Sequence, residues 1–135
     1  MRHDNWQDLY YAKVMELRDI PFQWGVHDCV VFASKVVDAI SDLDTWSRIS
    51  ADYKWDSMDS ARAIITAASG MENLVDSIMG DSVAPLLCTV GDVVLALNGE
   101  GRKVLGIHDG TQLLVPDSAG LRALPLHRAV KGWKV

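Results

Sequence analysis

The chain has 135 residues, 49% of them hydrophobic and 23% charged, with a formal net charge of −5. That length and balance fit one soluble domain, spanning residues 1–135, with a core that needs no metal or disulfide. The negative charge and the lack of a basic run argue against nucleic-acid binding, and no apolar stretch is long enough to span a membrane.

Taken in chain order, Asp4 with Gln7 three residues on has the form of a capping box. Trp6, Leu9, Tyr10, Val14 and Leu17 then recur at helical spacing, and Pro21 follows. A helix is expected over about residues 5–19, its stripe packed on the core. The segment Pro21-Phe22-Gln23-Trp24-Gly25-Val26-His27-Asp28-Cys29 closes with an aromatic-glycine turn, a capping aspartate and a cysteine in the first turn of a second helix. The apolar positions of that helix, Cys29 to Ile40, nearly encircle its first turns, so it is expected to be the central, buried one. A thiol at a helix N-terminus meets partial positive charge, which favours thiolate and is the mounting of a nucleophile.

Residues 41–56 are polar with aromatic anchors at Trp46, Tyr53 and Trp55 and are expected to be a loop with little regular structure. Trp46, Trp55 and the C-terminal Trp133 are interface candidates; the alternative is that Trp46 and Trp55 cover the core. Ser57 caps a helix running to Ser69, and a shorter helix over 71–79 ends at Gly80. After Pro85 the period changes to two. Strands are expected at Asp92–Leu97, Lys103–His108, Gln112–Val115 and Leu121–Leu124, with turns at Asn98-Gly99-Glu100-Gly101 and Asp109-Gly110, and residues 126–135 offer an edge strand. Helices over about 1–80 followed by an antiparallel sheet over about 90–135 make an α+β fold.

The order of these parts resembles the papain-like fold of the NlpC family of cell-wall cysteine peptidases and amidases. The resemblance rests on Trp24-Gly25, Asp28-Cys29 and Phe32, on Gly91-Asp92-Val93-Val94 as the Gly-Asp start of the first strand, and on Gly106-Ile107-His108-Asp109-Gly110. The whole chain also resembles small proteins encoded among the tail genes of long-tailed bacteriophages. The resemblance implies a catalytic histidine where Val104 stands, so the expected base is missing. Without it, Cys29 lacks a proton acceptor and the leaving group lacks a donor.

Four histidines remain. His108 shares a strand face with Val104 but lies about 13 Å further along. His27 is a turn residue, His127 a surface residue, and His3 belongs to the N-terminal tail. His27, Cys29 and His108 match no zinc spacing, and no cofactor is expected. Cys88 fills the core ahead of the first strand.

Two functions follow. The first is a structural component of a phage tail tip on a hydrolase scaffold that has lost catalysis, made in the host cytoplasm and carried in the virion. It would contact other tail proteins of the tip or hub through its helical faces, the 41–56 segment and the C-terminal tail. The second is an active cysteine peptidase or amidase cutting peptidoglycan during phage entry. Cys29 would be its nucleophile, His108 its base and Asp117 the orienting group, with the Cys29 backbone N–H donating to the oxyanion.

Overall fold

Asp28 starts the central helix as its sequence requires. Its carboxylate accepts from the Val31 N–H at 2.9 Å and caps α2, Cys29–Ile40. In the computed structural model, which describes residues 1–135, Val31, Phe32, Ala33, Val36, Val37 and Ile40 of this helix are all buried. Helix α1, Trp6–Leu17, lies beside it and buries Tyr10 and Leu17, with Trp6, Leu9 and Val14 half-buried against the same core. The helices α3 (Thr45–Asp52), α4 (Met58–Ala67) and α5 (Met71–Met79) follow. A short 3₁₀ turn, Pro85–Leu87, leads into the sheet.

The strands are β1 (Val93–Leu97), β2 (Lys103–His108), β3 (Gln112–Asp117), β4 (Gly120–Pro125) and β5 (Ala129–Trp133), in the spatial order β4-β3-β2-β1-β5 with every pair antiparallel. The result is an α+β fold whose tail forms an edge strand beside β1. One face of the sheet carries Val93, Leu95, Leu105, Ile107, Leu114 and Trp133 into the main core with α1, α2 and α5. The other face carries a smaller cluster of Cys88, Val94, Ala96, Leu113, Val115 and Leu124. This alternation decides which strand residues can look toward Cys29.

Three expectations change. The 41–56 segment is not a structureless loop, because α3 fills its centre. Asp44, just before α3, has a left-handed φ of 53° and makes no cap. The cap comes instead from Asp38 on α2, which accepts from the Thr45 N–H and hydroxyl at 2.7 Å and from the Trp46 N–H at 3.0 Å. Asp4 does not cap α1: Asn5 precedes the helix with no side-chain cap, and the His3 carbonyl takes the Trp6 N–H at 3.1 Å. Trp133, an interface candidate, is wholly buried, and its indole N–H donates to Asp76 at 2.9 Å, tying β5 to α5.

Asp38→Ala removes a three-bond cap while leaving α2 intact. We expect a loss of about 2 kcal/mol in denaturant unfolding, with α3 amides losing hydrogen-exchange protection first. An unchanged midpoint would contradict the borrowed cap.

Candidate functional site

The turn before α2 is built by a short internal bridge in which Gln23 and His27 exchange backbone hydrogen bonds at 2.8 and 3.0 Å. Gly25 sits inside it with φ +75°, and a Cβ there would strike the Trp55 carbonyl oxygen. Only glycine fits both demands. Trp24 stacks edge-on to Phe22 with ring centroids 4.8 Å apart. Asp28, buried, accepts from the Gly25 N–H at 2.9 Å and the Trp55 indole N–H at 2.5 Å besides its cap bond to Val31. The aromatic-glycine-Asp-Cys motif therefore pins the α3–α4 connection onto the start of α2. Trp46 packs edge-on against Trp55 at 6.0 Å, so both rings cover this junction from half-buried positions.

Cys29 lies on the wall of an apolar groove bounded by α2, α3, α4, α5 and the strands β1 and β2. Ile49, Tyr53, Ile64, Ile65, Leu74 and Leu105 are among the side chains that line it, and the space open to the centre of a water molecule is about 80 Å³. Three of its polar side chains are already occupied. The Ser34 hydroxyl donates to the Val30 carbonyl, the Thr45 hydroxyl to Asp38, and Asp28 is satisfied as above. Helix α4, capped reciprocally by Ser57 and Ser60, has no fully buried residue and closes the groove only in part.

Burial governs the thiol. It pushes Cys29 up to about 11, with the neighbouring Asp28 charge acting in the same direction. The backbone N–H groups of Leu105, Val30 and Cys29 pull the other way and lose. The expected thiolate character at the helix N-terminus is thus overturned: dehydration by the groove outweighs the helix end.

No histidine hydrogen-bonds to that sulfur. His27, 1% exposed, has neither ring nitrogen bonded and packs edge-on to Phe32 at 6.1 Å. His108 pairs with Leu113 across β2–β3, and Leu113 belongs to the smaller cluster, so His108 faces away from α2. Its Nδ1 accepts the Gly110 N–H at 3.0 Å. Val104 packs on the same far face. The β2 residue that meets Cys29 is Leu105, one position on. Asp117 also shares the far face; it accepts from the Ser118 N–H at 2.7 Å and lies 3.5 Å from Arg122. The structure does not gather Cys29, His108 and Asp117 into one set. His3 lies 3.5 Å from Asp42, and His127 is exposed.

The profile of the family described as Domain of unknown function (DUF6950) matches residues 1–135. The chain belongs to that family. No curated protein matches it. In this DUF6950 chain no helix is long and apolar enough to cross a membrane, and no group of three or more His, Cys, Asp or Glu side chains is placed to hold a metal ion.

Burial lowers the pKa of His27, and Lys35 adds to the effect against Asp28. The folded value lies below the unfolded one near 6.5, so the unfolded state takes up a proton first as pH falls. Stability is therefore full above about pH 6.5 and declines below it; His108, lowered chiefly by burial, adds to the slope. His27→Leu, which also removes two unbonded nitrogens, is expected to raise stability at pH 5 by about 1 kcal/mol and to flatten the decline. Equal pH slopes for the two proteins in urea titrations would contradict this.

Proposed function

We propose that this chain is a non-catalytic structural protein of a bacteriophage tail tip, built on a papain-like scaffold of NlpC type that has lost its hydrolytic centre. What supports the scaffold is the cysteine opening a buried helix against an antiparallel sheet, with Asp28 before it and Gly91-Asp92 before β1. What supports the loss of chemistry is one observation: a protonated thiol in an apolar groove, with Leu105 as the strand residue against it and both Val104 and His108 turned to the far face. An acyl-transfer centre needs a base in hydrogen-bond reach of its nucleophile, and a shape that supplies none serves packing instead. The tail assignment rests on resemblance. The acidic balance and the half-exposed Trp46 are consistent with contacts to other tail proteins.

The test is genetic and chemical together. Purified phage tails should contain the chain by mass spectrometry, and phage carrying Cys29→Ala should plate at the wild-type titre. Absence from tails would overturn the assignment. Release of peptidoglycan fragments by the wild-type protein, abolished in Cys29→Ala, would overturn the loss of catalysis.

A further inference from the structure

The two buried side-chain nitrogens that lack a hydrogen-bond partner both belong to His27, in the turn before α2. Leaving such groups unpaired costs free energy that the fold must offset elsewhere. The carboxylate next in the chain, Asp28, is spent: Oδ1 takes the Val31 N–H, and Oδ2 takes the Gly25 N–H and the Trp55 indole N–H. The charges that act on the ring are Lys35 of α2, which opposes a proton, and Asp28, which favours one. Phe32 of α2, stacked edge-on against the ring, brings none. A neutral imidazole fits this place. An imidazolium would hold two donors with no acceptor, and burying it unpaired costs far more than burying the neutral ring.

The chain around His27 can give way without the core. Residues 18–21, Gln23 and Val26 are exposed, and the turn is held by the Gln23–His27 bridge, the Asp28 bonds and the Phe22 N–H to the Asp117 carbonyl at 2.9 Å. Helix α1 and the buried body of α2 are fixed by other residues, packed on each other and on the sheet. The turn also reaches the groove. Gly25 lies against the Trp55 carbonyl oxygen, Asp28 holds the Trp55 indole, and both Trp24 and Trp55 line the groove beside Cys29. We infer that the Gln23–His27 turn is an acid-released latch on that groove: a proton taken up by His27 drives its ring off Phe32 into water, and the turn lets go of the α3–α4 connection. Water solvates the imidazolium in the released turn, so acid favours release, and the released fraction grows about fivefold or more between about pH 7.5 and 5.5. The inference does not depend on the tail assignment.

Hydrogen exchange followed by NMR on the whole protein, corrected for the intrinsic pH dependence of exchange, tests it. The Gly25 and His27 amides and the Trp55 indole should open more readily than the strand amides of Leu95 and Ile107. Their opening should grow about fivefold or more from about pH 7.5 to 5.5. In His27→Leu that growth should vanish. Lys35→Met removes the half-buried cation that opposes the proton, so the buried ring tolerates its charge better; the growth should weaken and begin at lower pH. A dithiodipyridine, a thiol reagent active in acid, should label Cys29 of the wild type faster at about pH 5.5 than at 7.5, measured against a free-thiol peptide, and should show no such gain in His27→Leu. Turn and strand amides that open together at both pH values would overturn the inference, since no local release would exist. So would a response that survives in His27→Leu, which would put the trigger on another group, or one left unchanged in Lys35→Met.

Discussion

Replacing Asp92 with alanine is expected to cost about 4 kcal/mol and to lower the melting temperature by more than about 10 °C. Asp92 is wholly buried at the entrance to β1, yet it is the anchor for both ends of the chain. One oxygen accepts from Arg2 Nη2 at 2.9 Å and from the Val135 N–H at 2.9 Å; the other accepts from Lys134 Nζ at 2.6 Å and from the Thr89 N–H at 2.9 Å. Arg2 also donates to the Val135 carbonyl and lies over the Trp6 ring, 4.1 Å from its centroid. Deleting the carboxylate leaves two cations and two partly buried N–H groups facing a hole. Removing one partner of a buried ion pair costs far more than an exposed pair contributes. Asp92→Asn keeps the shape and one acceptor and should fall between wild type and alanine. A melting temperature for Asp92→Ala within about 2 °C of wild type would show that the termini are not held this way.

Asp28→Ala is expected to cost about 3 kcal/mol and to act on the groove as well as on stability. Three donors lose their acceptor at once: the Val31 and Gly25 N–H groups and the Trp55 indole. The first loss uncaps α2, the second loosens the turn in which Gly25 must hold φ +75°, and the third frees the α3–α4 connection. Tryptophan emission should shift to the red as Trp55 and its neighbour Trp46 hydrate. Cys29 should become more accessible to alkylation, since Asp28 and Trp55 both line its groove. A variant with lowered stability but unchanged Cys29 reactivity would separate the cap from the groove and contradict the coupling.

What the sequence made legible was local chemistry. Asp28 before Cys29, Ser57 before Met58 and Gly80 after Met79 each act on neighbours a few residues away, and each stands where its type required. The hairpin at Asn98–Gly101 is of the same kind: the Asn98 side chain accepts from the Glu100 and Arg102 N–H groups at 2.9 and 3.0 Å. What was hidden depends on partners far along the chain. Asp38 capping α3, Asp76 receiving Trp133 and Asp92 joining both termini have no local signature, so the 41–56 segment read as a loop and Trp133 as an interface candidate.

The site divides the same way. Strand parity correctly puts Val104 and His108 on one face, but it cannot say which face looks toward α2. The register Ile107 to Leu114 and His108 to Leu113 answers that, and it turns His108 away. The helix-end effect on Cys29 was also readable locally. The burial that defeats it arises in the groove, whose walls from α2, α3, α4, α5, β1 and β2 meet only in the tertiary fold.

The rate at which dilute, folded protein alkylates at Cys29, followed by peptide mass spectrometry against pH, tests the central claim most directly. A thiol raised to about 11 with no imidazole beside it should react slowly at pH 7 and speed up by about tenfold per unit to pH 10 without a plateau. A plateau below about pH 8, where a histidine-paired thiolate would already be formed, would contradict it.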